Sequence, residues 1–600
     1  MEGKRTKSGV MTKVMMFAII MSSMVVITCC SSDDPMEEYN SYDSNPSNGN
    51  NANGGMNQGG SSAMSGELAT FDISLNKTSE EPANASDEYF PDEEDVLENN
   101  DFETEVAIDM SNPVAGTENG VEITVTGNHV TANHGDTKKV CYVLTGKTDN
   151  GSFSVVGNKK YAVRLNGVSI TNPDSAALNL LSGKRAFVIL SDGTTNTLAD
   201  ATGGSQKGAL YCKGKLLFNG SGTLNVTGNT NNGIHSADYI VFRKGNNISV
   251  KSTANHGIKA NDGVFINGGI INVEVSALAA KGINSESNII VNGGRTTVLT
   301  SGDGTYDTED QEAKGSAGLK ADTTLIVNDG ELWLKSTGSG GKGINVDCDA
   351  FFNGGSVYVV TTGGQFSGNG DTSSPKGIKV DGNISISGGK IWVRTGGNNG
   401  EGIESKKEIS ITGGEVACYA YDDAINSKST MTISGGYVYA HGQHNDGLDA
   451  NGNCYIKGGV VYAISSGSPE VAIDANTEDG YKLYITGGTV IAVGGLENGS
   501  QLSQSCYQMS SWSANTWYSL TSGNSTFSFK TPTSGGSGVV VSSASQPTVK
   551  SGVSVSGGTT YFGGVGILGG DVSGGSSVSL SSYTGGMGPG NIGGGPVGWR

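Results

Sequence analysis

Acidic and amide side chains recur at a fixed spacing in the last third of the chain. Asp446 follows Asp423 at the same interval at which Asp449 follows Asn426. In a protein that repeats with this period such residues stack directly, and stacked carboxylates repel unless they are protonated or share a cation. Hard cations prefer carboxylate, amide and backbone oxygens. The spacing therefore predicts a calcium site formed by Asp422, Asp423, Asn426, Asp446, Asp449 and Asp474, with solvated carboxylates or an asparagine ladder as alternatives.

A column of aromatic residues is a second candidate site. Counting three residues past the last glycine of each turn gives an aromatic residue in five repeats: Trp333, Tyr358, Trp392, Tyr439 and Tyr462. If the repeats stack, these rings form an outward ladder whose rung spacing is close to the length of one sugar unit, and sugar rings stack on aromatic faces. Aromatic residues are also good strand formers that stack on each other, so a purely structural ladder is the alternative. We predict that these five residues bind a ligand.

Lysines in a neighbouring column are a third candidate. The third position of the Gly-Ile-x-Ala segment is lysine in three of the earlier repeats, at Lys259, Lys320 and Lys379. A basic stripe on an acidic protein would suit a polyanionic saccharide, and we predict that Lys320 and Lys379 contact it. The alternative is a solvated lysine face that opposes aggregation.

The elements that position these columns repeat at nearly constant intervals from Gly208 onward, as at Gly233, Gly257 and Gly282. Each unit has a Gly-Ile-x-Ala segment, a strand, a turn such as Asn-Gly-Gly, and another alternating strand. Asn-Gly and Gly-Gly steps allow positive φ and let the chain turn a corner. The pattern predicts an all-β protein, a right-handed parallel β-helix of about ten rungs with N- and C-terminal β caps. Two long repeats, 282–317 and 343–376, predict insertions on one face of the rod.

Composition narrows the functional class. The 600 residues include 95 glycines, only 16% are charged, and 58 acidic side chains outnumber 38 basic ones. An acidic chain of this kind is not a nucleic-acid binder, and its glycines are too aperiodic for collagen. The six cysteines after residue 30 are scattered without the CxxC spacing of zinc or redox sites. We expect a monomeric, turn-rich β-protein.

The N-terminus resembles a bacterial lipoprotein signal. A basic start precedes an apolar run, 14–27, that is too short to cross a membrane but suits secretion. The following Cys29-Cys30-Ser-Ser-Asp-Asp resembles a lipobox with the export signature of Bacteroidetes surface lipoproteins. Cys30 is the predicted acylated residue, Cys29 is an alternative, and an ordinary cleaved signal also stays open. These features predict an outer-membrane lipoprotein at the cell surface, attached to the membrane by its lipid anchor only.

Taken together, the patterns divide the chain into a lipoprotein signal peptide (1–29), a disordered Asn/Gly/Ser linker (30–65), an N-terminal β lead-in and cap (66–207), the β-helix (208–500), a C-terminal β cap (501–580) and a glycine-rich tail (581–600).

Several stretches resemble a family of secreted bacterial carbohydrate-binding β-helix proteins, which includes pectin- and cellulose-binding members and Bacteroidetes lipoproteins. They are Asp422-Asp423-Ala424-Ile425-Asn426, 445–452, 165–170 and 192–196. The resemblance implies calcium in the Asp-Asp-Ala-Ile-Asn region, binding of acidic plant polysaccharide, and no demonstrated catalysis. The fold is also similar to that of calcium-dependent pectate lyases.

The favoured function is therefore calcium-assisted, non-catalytic binding of an acidic, pectin-like polysaccharide. A lyase is the enzyme alternative, in which Lys376 or Lys379 takes the C5 proton of a calcium-bound uronate. A structural adhesin is the third possibility. We predict no catalytic residue, because the chain has no familiar nucleophile constellation, phosphate loop or HExxH motif.

Overall fold

This computed structural model describes residues 67–68, 70–75, 81–82, 89–467 and 469–585. The predicted signal peptide and linker, Cys30, and the tail beyond 585 lie outside the described residues. Within those residues, no helix is both long enough and apolar enough to cross a membrane.

The described chain is a β-solenoid with three parallel sheets. The first sheet has 16 strands: Thr104–Asp109, Val140–Thr145, Tyr161–Leu165, Ala186–Leu190, Leu216–Gly220, Ile240–Phe242, Val264–Ile266, Ile289–Val291, Leu325–Val327, Ala350–Phe352, Ile384–Ile386, Ile409–Ile411, Met431–Ile433, Cys454–Ile456, Leu483–Ile485 and Gln501–Leu502.

The second sheet begins with an antiparallel lead-in of two strands and then continues in parallel. Its strands are Gly116–Glu118, Val121–Thr126, Asn128–Asn133, Gly151–Val156, Leu178–Leu180, Gly208–Cys212, Asn232–Ser236, Ile258–Ala260, Lys281–Ser285, Ala317–Ala321, Lys342–Val346, Lys376–Val380, Glu401–Ser405, Ile425–Ser427 and Leu448–Ala450.

The third sheet is parallel up to Thr489–Val493 and is closed there by antiparallel strands. Its strands are Lys147–Thr148, Ser169–Asn172, Thr195–Asp200, Thr223–Gly228, Asn247–Ser252, Ile270–Val275, Arg295–Thr300, Glu331–Ser336, Ser356–Thr361, Lys390–Thr395, Glu415–Ala420, Tyr437–Gly442, Val460–Ile464, Thr489–Val493, Val539–Ser542, Cys506–Met509 and Leu580–Tyr583.

The predicted fold class is confirmed, but the rod is longer than expected. The sequence pattern predicts about ten rungs, whereas the first sheet has 16 strands. The extra rungs come mostly from the region interpreted as a lead-in, because the strands from Thr104–Asp109 onward pair in register with those that follow. Alternate side chains of most strands in the three sheets point into one continuous apolar core, and each buried Val, Leu or Ile contributes about 1.5–3 kcal/mol.

Close packing at the corners explains the Gly-Ile pairs. A Cβ on Gly257 would lie 2.3 Å from Val273 Cγ1 and 2.7 Å from the carbonyl oxygen of Gly282 in the next rung. At the opposite turns, glycines such as Gly389 have positive φ, here +77°. Both requirements favour glycine. Because these glycines recur in each rung, outward residues of successive rungs lie at matching positions.

The two insertions form hairpins that pack together. Thr305–Asp307 pairs with Glu312–Lys314, and Phe366–Gly368 pairs with Asp371–Ser373. The Ala313 N–H donates a 2.6 Å hydrogen bond to Asp371 Oδ2 and joins the two hairpins. The expectation that the insertions share one face is confirmed.

Three further segments lie on the outside of the rod. An N-terminal strap, residues 89–102, crosses the first sheet; it contains the 3-10 turns Glu93–Asp95 and Leu97–Asn99. In it, Asp95 accepts a 2.8 Å hydrogen bond from the Arg185 guanidinium. A shorter groove segment, residues 67–68 and 70–75, lies on the third sheet. A C-terminal sheet covers another part of the third sheet; its strands are Thr559–Tyr561, Gly566–Leu568, Ser525–Lys530, Trp517–Ser522, Thr548–Ser556 and Asp571–Val578, with a 3-10 turn at Phe562–Gly564.

Candidate functional site

The acidic residues predicted to bind calcium meet at the corner where the third sheet leads into the second. Carboxylate oxygens of Asp446, Asp449 and Asp474 lie within 4.8 Å of one another. Asn426 pairs with Asp449 across the second sheet, so the equal spacing does place consecutive rungs in register. Asp422 is half-buried on the rim of this cluster. We call Asp423, Asn426, Asp446, Asp449 and Asp474 the acidic cluster.

Hydrogen bonds organise the acidic cluster but leave the fully buried Asn426 Oδ1 without a donor in the described part of the chain. Asp423 Oδ1 accepts the Asp446 N–H at 3.0 Å. The Asn426 side-chain amide donates to Asp423 Oδ2 at 3.0 Å and to Asp449 Oδ2 at 2.9 Å. Among the described residues nothing donates to Asn426 Oδ1, although Asn426 is only 1% exposed. A buried oxygen without a partner is costly, and a cation would satisfy it.

Burial and mutual repulsion make the carboxylates hard to ionise. Burial, assisted by Asp474, raises the pKa of Asp446 to about 9. Burial is also the main reason that the pKa values of Asp423, Asp449 and Asp474 lie above the usual range of aspartate. Without a cation the cluster therefore retains protons near neutral pH. A divalent ion would displace these protons, so the donor set fits a hard cation.

The predicted basic stripe is neutralised by carboxylates. Lys320 Nζ lies 3.0 Å from Asp322 and also pairs with Asp347, and Lys379 Nζ lies 2.8 Å from Asp381. The expectation of a positive surface is therefore wrong at these positions. The sequence contained the signal: Asp322 and Asp381 follow their lysines by two residues, and such residues share one face of a strand.

In the middle rungs, lysine and glutamate side chains form a buried network of ion pairs instead of a positive stripe. Lys376 Nζ lies 2.8 Å from Glu401 and 3.0 Å from Glu404, and Lys406 Nζ lies 2.6 Å from Glu404. Burial raises the pKa of Glu404, but the two lysines outweigh it and hold that pKa well below the usual range. Burial also opposes the charge on Lys376, yet Glu401 and Glu404 raise the pKa of Lys376 above its ordinary value.

Lys342 is buried differently, without a carboxylate within ion-pair distance among the described residues. Its Nζ donates to the Gly340 carbonyl at 3.1 Å and to Ser373 Oγ at 2.8 Å, beneath the second hairpin. Burial, together with the nearby charge of Lys379, lowers the pKa of Lys342 well below its usual value.

The aromatic column exists in the predicted register on the third sheet. Trp333 pairs with Tyr358, Tyr358 with Trp392, and Tyr439 with Tyr462. The Trp333 and Tyr358 rings are stacked with centroids 4.0 Å apart, and those of Tyr358 and Trp392 meet edge to face at 5.8 Å.

The column is not an open ladder, however. The C-terminal sheet buries Tyr439 and Tyr462 completely, and the Tyr462 hydroxyl donates to the Lys530 carbonyl at 2.9 Å. The prediction that these two rings contact a ligand is therefore wrong for this arrangement. Trp333, Tyr358 and Trp392 are half-buried, and the groove segment packs on the latter two.

Two cations beside this column were missed from the sequence. Lys335 and Arg394 each follow a tryptophan of the column by two residues and so lie on the same outer face. The Arg394 guanidinium lies 4.2 Å from the centroid of the Tyr419 ring. A groove of about 380 Å³ is lined by both cations, Tyr419, Gln443 and the groove segment.

Comparison with known proteins assigns the family. A family model described as "Carbohydrate-binding domain-containing protein" matches residues 117–281, 275–417 and 394–562, which is most of the solenoid. The chain belongs to this family. A relative of the same description from Acetivibrio thermocellus is 32% identical over 126 residues, which are 19% of this chain and 44% of the relative. The chain thus spans less than half of the length of that relative.

Among solved structures, a polysaccharide lyase-like protein from C. thermocellum, determined as a gadolinium derivative, is similar to 47% of this chain over 96% of its own length, with 16% sequence identity and a TM-score of 0.29.

Proposed function

We propose that this member of the carbohydrate-binding family binds an acidic, pectin-like polysaccharide with the help of calcium at the acidic cluster. The observation that carries the proposal is the convergence of the buried Asp446 and the half-buried Asp449 and Asp474 beside the unsatisfied Asn426 Oδ1. A calcium ion held there would leave coordination positions for the carboxylate of a uronate residue. Calcium would thus bridge the protein to its ligand.

The neighbourhood of the cluster also suits a saccharide. The Tyr421 and His444 rings stack with centroids 4.0 Å apart, one on each of two successive rungs. They precede Asp422 and Asn445 in the chain, so an aromatic surface lies next to the rim of the cluster. Sugar rings pack on such surfaces while their carboxylates reach a nearby cation.

The contacts of Lys376 and Lys379, the two lysines considered as the base, disfavour the lyase alternative. A proton-abstracting lysine needs a lowered pKa and an accessible neutral amine. Lys376 is instead held between Glu401 and Glu404 with a raised pKa, and Lys379 is paired with Asp381. Binding without bond cleavage is the function that the geometry supports best.

Calorimetric titration of the protein with oligogalacturonide tests this function, in calcium and in chelator, while absorbance reports unsaturated uronate products. We expect calcium-dependent heat without new absorbance. An Asp446→Asn variant should lose the calcium dependence, whereas Asp149→Asn, an exposed residue paired with Lys147, should behave like the wild type. Rising absorbance would indicate a lyase, and binding unaffected by the chelator would contradict the calcium bridge.

We further propose that Cys30 is acylated and anchors the protein to the outer membrane at the cell surface. The lipobox-like sequence supports this proposal. Metabolic labelling with a fatty acid should mark the wild type and not a Cys30→Ala variant. A Cys29→Ala variant serves as the matched control, and labelling that follows Cys29 instead would reassign the acylated residue.

A further inference from the structure

The groove segment places a ring and a neighbouring carboxylate on the third sheet, as an acidic saccharide would. Phe71 packs edge to face on Tyr358, with centroids 6.0 Å apart, and lies 6.1 Å from Trp392. The Asp72 carboxylate lies 2.6 Å from Lys335 Nζ. A ring on an aromatic platform next to a carboxylate on a cation is also how a uronate would bind here.

The other end of the segment continues the same pattern. The Leu68 carbonyl accepts a hydrogen bond from the Arg394 guanidinium. The Glu67 carboxylate accepts from the Tyr419 hydroxyl at 3.5 Å and from the Thr533 hydroxyl. The segment therefore places two carboxylates, Glu67 at its start and Asp72 near its middle, on groups suited to anions.

We infer that this groove is a second binding site for the acidic polysaccharide and that the groove segment is its built-in competitor. Lys335 and Arg394 would bind uronate carboxylates, and Tyr358 and Trp392 would support a sugar ring after Phe71 leaves. The inference deepens the proposed function and rests on it, because it requires an acidic glycan as ligand.

Leu68 and Ile73 of the segment are buried, but two other features favour its displacement by a ligand. Asp72 is 78% exposed at its side chain, so its ion pair with Lys335 contributes little to stability. Open space remains beside the segment, since the groove of about 380 Å³ extends along it to Gln443. Gln443 lies three residues before Asp446, so one glycan chain could follow the surface from the groove to the acidic cluster.

Displacement of the segment by a glycan has a thermodynamic consequence. If the segment fills the groove in most molecules, the apparent affinity falls by the fraction of molecules with an open groove. Weakening the segment should therefore strengthen glycan binding, which is the opposite of what removing an aromatic contact normally does. A gain in glycan affinity therefore identifies the segment as a competitor, whereas a loss would identify it as a part of the binding site.

The test uses the full chain and oligogalacturonide in calcium. A Phe71→Ala variant should bind about five- to tenfold more tightly than the wild type. A Phe71→Ala/Lys335→Met double variant should lose most of this gain, because the groove then keeps only Arg394 of its two cations. Phe90→Ala is the matched control, since Phe90 lies in the N-terminal strap against Arg243, and it should leave the affinity unchanged.

Limited proteolysis gives an independent readout of the same model. Saturating oligogalacturonide should speed cleavage after Phe71 by chymotrypsin in the wild type, because a displaced segment is more accessible to the protease. If the wild type binds but Phe71→Ala binds no more tightly, or the cleavage rate of the wild type does not change, the competitor model fails while the proposed function stands. If neither protein binds oligogalacturonide, both fail.

Discussion

Replacing Asp446 with asparagine separates two effects of a buried carboxylate in the acidic cluster. Without a cation its charge is repelled by Asp449 and Asp474, and in the proposed calcium complex it would be a ligand. Asparagine has nearly the same shape and keeps the oxygen that accepts the Val471 N–H at 2.7 Å. The substitution should therefore stabilise the cation-free protein and weaken its response to calcium.

The expected gain follows from the pKa of Asp446, which burial raises from 3.8 to about 9. Because the unfolded chain releases this proton more readily, the destabilisation is absent below pH 3.8, grows as the pH rises, and levels off above about pH 9. The difference in unfolding free energy corresponds to about 2 kcal/mol at pH 5 and about 4 kcal/mol at pH 7. These values are upper limits for the gain, since Asp449 and Asp474 share the repulsion.

Hydrogen exchange at the Leu448 amide, which donates to the Ala472 carbonyl, measures the opening free energy of this rung. In chelator, the Asp446→Asn variant should be the more stable protein, and its advantage should grow from pH 5 to pH 7. At a hundredfold excess of calcium over Kd, the wild type should gain about 2.7 kcal/mol and the variant far less. Asp149→Asn should show neither effect. A variant that is less stable than the wild type in chelator, or that gains as much from calcium, would refute the reasoning.

Three further predictions concern the groups packed around the sites. A Lys376→Met variant should lose about 3–5 kcal/mol in urea unfolding because Glu404 loses a partner, and adding Glu404→Gln should restore most of it; an unchanged midpoint would contradict a coupled pair. A Lys342→Met variant should be at least as stable as the wild type at pH 7. A lowered lysine pKa makes the stability of the wild type rise with pH up to about 10.5. The variant lacks this lysine, so its stability should rise less with pH, and parallel pH profiles of variant and wild type would count against the prediction. A Tyr462→Phe variant should lose about 1 kcal/mol with its bond to Lys530, detected as faster exchange in the C-terminal sheet; unchanged exchange would argue against the bond.

Which residues of successive rungs are neighbours could be predicted from the sequence. Stacking repeats of nearly equal length set the register, so Asn426 over Asp449 and Trp333 beside Tyr358 could be found by counting. The early rungs were missed because their strands follow one another at unequal intervals, which hides the period. The first-sheet strands of that region begin at Thr104, Val140, Tyr161, Ala186 and Leu216.

Counting could not show what covers the outer face. Tyr439 and Tyr462 are buried by strands that follow later in the chain, and Trp392 is contacted by Phe71 from the other end of the described chain. Such contacts depend on the paths of the two terminal regions, which carry no periodic signal. Alternation within a strand says that a side chain points outward, and only tertiary packing decides whether solvent reaches it.

The C-terminal sheet also imposes an order on folding. Successive rungs need only their predecessor, so most of the rod can assemble from the N-terminus as the chain is made. The third-sheet face around Tyr439 and Tyr462 cannot, because it is covered only when residues 517–568 arrive. During synthesis, and in any protein cut short near residue 500, this face would be an exposed aromatic patch bordered by strand edges, which favours aggregation. By covering this face, the C-terminal sheet should protect the chain against self-association.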